Sequence, residues 1–172
     1  MPTAIRASVR PLVRDAAEHD AASIAGIYNP VVLSGTASFE IEPVSAETMA
    51  QRIRACRSDG YDWLVAESDN AVIGYAYSGR WMARDAYRHT VQVSVYVAKD
   101  AHGRGVGRTL YDALFERLRA GDFHSVIGII TLPNPASIRL HEHYGLTQVA
   151  HYREVGRKFG QWIDVGQWQG ML

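Results

Sequence analysis

The sequence predicts an α/β domain on a mixed, mostly antiparallel sheet, and three observations carry that expectation. Thr90–Val97 alternates strictly, with Val91, Val93, Val95 and Val97 on one face and Gln92, Ser94 and Tyr96 on the other. That is the period of a strand. Beyond a glycine-rich turn, Val106, Leu110, Leu114 and Leu118 recur every fourth residue, with Ala113 beside them, as on one face of a helix. The element order is a strand, two helices, an antiparallel meander, then β-α-β-α-β and a last strand, which requires both parallel and antiparallel neighbours.

Each element has a local reason. Val9–Val13 is a short β-prone opening. Asp20 stands where a helix cap belongs, ahead of Ile24, Ile27 and Tyr28, and Asn29-Pro30 is expected to bend or end that helix, because a residue before proline avoids helical geometry. A second helix begins after the Pro43–Ser45 turn and runs to about Ser58, with Asp59-Gly60 as its stop. Trp63–Glu67 and Ala71–Ser78 flank Ser68-Asp69-Asn70 as a hairpin. Gly79–His89 is a polar, aromatic loop long enough to line a site. Gly121 ends the helix that follows Thr90–Val97. Ser125–Ile130 reads as a buried strand, Pro133–Pro135 as a turn into a short helix through His143, and Gln148–Glu154 with Gln161–Trp168 as a hairpin across Gly156–Gly160.

Composition narrows the function. The 172 residues suit one domain, 1–172, and 47% hydrophobic content supplies a core. Formal charge is zero, without the basic excess of a nucleic-acid binder. Cys56 is the single cysteine, which precludes an intrachain disulfide or a cysteine metal cluster, and no metal is expected. Met1–Pro11 lacks the apolar core of a signal peptide, and no apolar run is long enough for a membrane span. The expectation is a cytoplasmic protein that uses neither membrane nor nucleic acid.

Val95 to Arg108 is the most informative stretch. A strand leads through Gly103, Gly105 and Gly107 into an amphipathic helix, whose free N–H groups and dipole form an anion site. Arg104 and Arg108 add charge-assisted contacts. The spacing is neither a Walker loop nor a dinucleotide fingerprint. A diphosphate site fits it; so, more plainly, does a glycine turn capping an ordinary helix.

This loop resembles the coenzyme A diphosphate loop of GCN5-related N-acetyltransferases (GNAT). Asn134-Pro135-Ala136-Ser137-Ile138-Arg139-Leu140-His141, followed by Tyr144-Gly145-Leu146, is similar to that superfamily's Asn-x-x-Ser/Ala-x-x-Leu helix. Ile24–Asn29, Ser38–Pro43, Trp63–Glu67, Gly74–Trp81, Arg84–Tyr87 and Gly160–Trp168 resemble the phosphinothricin and methionine sulfoximine acetyltransferase subgroup. The resemblance implies a GNAT-type sheet flanked by helices, acetyl-CoA as co-substrate, a small amino-acid-like amine as acceptor, and a homodimer. The main chain of Val95, Tyr96 and Val97 would hold the thioester and pantetheine arm. Gly103, Arg104, Gly105, Val106, Gly107 and Arg108 would hold the diphosphate, Asn134 the pantetheine, and Ser137 the coenzyme or its helix. Phe39, Arg84 and Tyr87 would bind the amine substrate, with Arg84 gripping a carboxylate.

Two positions depart from the pattern. His102 replaces the usual Gln or Arg at the start of the loop, and Gln92 stands where the subgroup has a carboxylate thought to activate the amine. A neutral amide cannot take up that proton. Glu40, His89 and Tyr87 are the available substitutes, and deprotonation in solution is the other route. His141 sits where the subgroup has a histidine and is the candidate proton donor to the leaving thiolate. Three readings stay open: a small-molecule acetyltransferase, an acetyltransferase for a peptide or protein amine, and a coenzyme A-binding sensor without turnover.

Overall fold

In the computed structural model, which describes residues 10–172, the chain forms a seven-stranded sheet with helices on both faces. In chain order the elements are β1 (Leu12–Asp15), α1 (Ala21–Ser34), α2 (Ala46–Ser58), β2 (Trp63–Ser68), β3 (Ala71–Arg80), β4 (Thr90–Val97), α3 (Val106–Ala120), β5 (Ser125–Leu132), α4 (Pro135–His143), β6 (Thr147–Lys158) and β7 (Gln161–Met171). The sheet order is β1-β2-β3-β4-β5-β7-β6, and β4–β5 is the parallel pair among antiparallel neighbours. The expected α/β class and mixed sheet are therefore present.

Alternation along the strands divides the core into two layers. Val91 and Val93 of β4 pack with Leu110, Tyr111, Leu114, Phe115 and Leu118 of α3 on one face. On the other face, Ile24, Ile27, Tyr28 and Val32 of α1 and Met49 and Ile53 of α2 cover Trp63, Val65 and Tyr75. Tyr96 joins this second layer through Tyr75 at 5.3 Å and Tyr28 at 5.1 Å between ring centroids.

Local expectations fare unevenly. Ser45 accepts from the Thr48 N–H and caps α2, and Asp69 and Asn70 both take positive φ in the β2–β3 turn, as a tight hairpin requires. The first strand lies slightly later than Val9–Val13, and Val9 itself is outside the described residues. Asp20 does not cap α1 through its side chain. It accepts from Ala17 N–H one turn earlier, and the Arg14 guanidinium beside it holds its carboxyl below the usual range. Asn29-Pro30 does not end α1, which continues to Ser34. Asn29 is held from outside the helix: its side chain donates to the Val44 carbonyl and accepts from the Val44 N–H. The last hairpin is longer than its polarity implied. It turns at Phe159-Gly160, both at positive φ, and Gly156 lies within β6.

Candidate active site

The site begins where sheet pairing fails. β4 and β5 are in register from Thr90↔Ser125 to Val93↔Gly128 and then part, leaving Ser94–Val97 without a neighbour on that side. β3 still pairs with the other edge of β4 as far as Val97. Ala98 N–H donates to Ile73 on β3, so period-two alternation aims the polar groups of Val95 and Val97 into the gap and those of Tyr96 toward β3. The gap opens into a cavity of about 660 Å³ bounded by β4, the glycine loop, the start of α3, β5 and α4.

The loop needs its glycines for backbone reasons. Gly103 and Gly105 have φ of 74° and 78°, in the left-handed region that a β-carbon disfavours. Gly105 caps α3 through its backbone alone, since no side chain satisfies the first N–H groups of that helix. These donors and the helix dipole face the cavity where Gly105, Val106, Gly107 and Arg108 line it. Arg104 is exposed at the loop tip and lies outside the lining. His102 turns inward instead, and its Nε2 meets the Val97 carbonyl at 2.9 Å. It therefore braces the end of β4.

The opposite wall is α4. Asn134 caps it, its Oδ1 accepting from the Ser137 N–H at 3.2 Å, which leaves the amide NH2 free. One turn beyond Ser137, His141 is 4% exposed and packs directly over Gly128, where a β-carbon would stand 2.3 Å from its ring. Its Nδ1 lies 2.8 Å from the Ser137 carbonyl, which can only accept, so Nδ1 carries the proton. Nε2 then accepts from the buried Tyr111 hydroxyl at 3.1 Å. Burial lowers the pKa of His141, opposed by the Ser137 carbonyl, so the resting side chain is neutral.

The structure separates the predicted residues into two groups. Val95, Tyr96, Val97, Gly103, Gly105, Val106, Gly107, Arg108, Asn134, Ser137 and His141 share the cavity. Gln92, Phe39, Arg84 and Tyr87 lie outside it. Gln92 is half-buried between Gly79 and Ile127, and strand alternation turns it toward the α1/α2 face. Arg84 and Tyr87 are exposed in the β3–β4 loop, with Tyr87 set edge-on against Trp81. Of the substitute bases, Glu40 is held by both terminal guanidinium nitrogens of Arg52, and His89 is tied to the Asp122 carbonyl at the far end of β4. Sequence reasoning missed Tyr111, Gly128 and the β5 residues Ile129–Thr131. They are paired with the site across long sequence separations, and their only early signal was an unusually apolar strand.

Residues 13–166 match the acetyltransferase (GNAT) domain family. The chain belongs to the GNAT acetyltransferase family. Among its relatives, a phosphinothricin N-acetyltransferase from Streptomyces viridochromogenes is 40% identical over 161 residues, 93% of this chain and 87% of that one. A phosphinothricin acetyltransferase from Sinorhizobium meliloti, solved with AcCoA, superposes with a TM-score of 0.92 at 36% identity, covering 95% of this chain and 89% of the other. A ribosomal-protein-alanine N-acetyltransferase from Brucella melitensis gives 0.91 at 37% identity, covering 94% and 99%. This GNAT protein is an acetyl-CoA-dependent N-acetyltransferase, and the unpaired β4 edge and α3 amides have the chemistry the donor needs: backbone donors and acceptors for an amide-bearing arm, and an anion site for a diphosphate.

Proposed function

We propose that this GNAT enzyme acetylates the α-amino group of a small, glutamate-like amino acid such as phosphinothricin or methionine sulfoximine, acting in the cytoplasm. The observation that carries the reading is the free edge of β4, which runs straight into the left-handed glycine loop and faces His141 across one cavity. The similarity to phosphinothricin acetyltransferases supports the choice of acceptor.

In this reading the amine approaches from the Gln92 face while the thioester lies along β4. The neutral amine attacks the thioester carbonyl, and the Val95 N–H stabilises the oxyanion. The C–S bond then breaks, giving an amide and a thiolate. The proton released from nitrogen leaves to water on the Gln92 side, and His141 is the candidate relay to sulfur: its Nε2 gives up the Tyr111 hydrogen bond, takes a proton from solvent and passes it to the thiolate. Gln92 orients the amine without deprotonating it, so the ammonium proton is lost to solvent beforehand. Arg84 takes the substrate carboxylate, with Tyr87 and Phe39 as walls.

The enzyme is proposed to act as a homodimer. β6 is an edge strand, and its hairpin exposes Tyr152, Val155, Phe159 and Trp162, with Ile41 likewise exposed on the α1–α2 loop. Sedimentation at micromolar concentration should give twice the chain mass; a single-chain mass removes this part.

The deciding test is thiol release from acetyl-CoA with free amino acids, glutamate analogues and alanine-starting peptides. Turnover with a glutamate-like amine, weakened in Arg84→Ala, supports the proposal. Preference for the peptides moves the function to a protein N-terminus, a reading favoured by the Brucella structure. Acetyl-CoA binding without turnover on any amine leaves a sensor.

A further inference from the structure

The two halves of the sheet are joined by four β4–β5 residue pairs and then diverge. At the open end they meet again through side chains. Lys158, the last residue of β6, is 4% exposed, and its Nζ donates to the Ser38 carbonyl at 2.7 Å. Two residues earlier, Gly156 lies flat against the Phe39 ring, and a β-carbon there would stand 2.2 Å from Cζ. Both contacts fall on one dipeptide of the α1–α2 loop. Ser38 is fixed from the other side as well, its Oγ lying 2.6 Å from the Tyr28 hydroxyl.

This is a costly way to fasten a loop. Burial lowers the pKa of Lys158, an effect opposed by nearby Glu40, and a desolvated ammonium is unfavourable unless its bonds are well placed. The arrangement fixes Phe39 from both halves of the cleft.

We propose that Lys158 and Gly156 form a latch that sets the position of Phe39, and with it the width and selectivity of the amine pocket. They are positioning residues and touch no reacting atom. The inference rests on Phe39 walling the amine pocket, as in the proposed function.

The test uses Lys158→Met, Gly156→Ala, Phe39→Ala and the Phe39→Ala/Gly156→Ala double variant. Lys158→Met and Gly156→Ala should each lower kcat/KM for the amine by about tenfold or more, since small misplacements near a reacting centre are costly. They should also change the ranking of short and long amines, while KM for acetyl-CoA stays within about twofold. Adding Gly156→Ala to Phe39→Ala should cost little further, because the three atoms nearest the new methyl all belong to the phenyl ring. Unchanged amine kinetics and ranking in both single variants, or additive losses in the double variant, overturn the latch. If Lys158→Met loses acetyl-CoA binding it has misfolded, and the Phe39/Gly156 cycle decides alone. Hydrogen exchange gives a readout independent of substrate: residues 36–41 should exchange faster in Lys158→Met while α3 does not. If the wild type acetylates no amine, the functional reading fails by itself, and unchanged protection of 36–41 would then sink the latch separately.

Discussion

The two sides of the cleft are made of different material. The proposed donor side is main chain: the unpaired edge of β4, the first amides of α3 and two left-handed glycines. Residues matter there chiefly for the side chains they lack. The proposed acceptor side is made of side chains on loops and on the far face of the sheet, namely Phe39, Arg84, Tyr87 and Gln92, which would matter for what they carry. Such a protein can exchange one amine for another by altering a few surface side chains, while its use of acetyl-CoA is tied to its backbone.

Five variants bear on that contrast. The largest effect should come from Gly105→Val, which forces a branched residue to a φ of 78° and should weaken acetyl-CoA binding about 100-fold by calorimetry. Arg104→Ala, outside the cavity, should cost less than about twofold; a reversed order would break the contrast. Arg84→Ala should raise the amine KM about tenfold by removing a charge-assisted bond, with acetyl-CoA affinity unchanged. A shift in coenzyme affinity of similar size would place Arg84 on the wrong side.

His141 lies between the two sides and responds to acid. Its folded pKa is below the unfolded value, so from about pH 6.5 downward the unfolded chain takes up a proton that the folded protein resists. Stability should therefore be full above that pH and fall by up to about 1.4 kcal/mol per pH unit below it. In His141→Gln this component of the slope should vanish from urea unfolding at pH 5 to 7.5, and an unaltered slope would mean that folding leaves the His141 pKa unshifted. A smaller effect than that of Arg84→Ala is expected from Gln92→Glu. Wild-type turnover should rise with pH until it reaches the pKa of the substrate's own amine and level off above it. The variant should be flatter and on the order of threefold faster at pH 7. Identical profiles would assign deprotonation to some other residue.

The contrast also explains what was legible in the sequence. β4, its loop and α3 could be bounded almost to the residue, because a change of period and a run of glycines are local signals. The Pro133–Pro135 turn into α4 was legible for the same reason, while the Asn134 cap was not. The acceptor side was reached only through resemblance, since an isolated Arg84 or Phe39 carries no periodic mark. Three features stayed hidden because distant partners decide them. Asn29-Pro30 continues a helix because Val44 satisfies the Asn29 side chain. Gly156 reads as a turn glycine until Phe39 is seen lying on it. Tyr111 reads as ordinary core until its hydroxyl is found on His141, thirty residues away.

The parting of β4 from β5 has a consequence for the life of the protein in a cell. Half of β4 has no strand along the β5 edge, and in the proposed function the arm of acetyl-CoA completes the sheet there. A ligand that binds the folded form alone stabilises it in proportion to RT ln(1 + [L]/Kd), about 2.7 kcal/mol at a hundredfold excess over Kd. Resistance to unfolding and proteolysis should thus rise and fall with the acetyl-CoA pool, making the abundance of the enzyme a slow record of the carbon supply on which its chemistry draws.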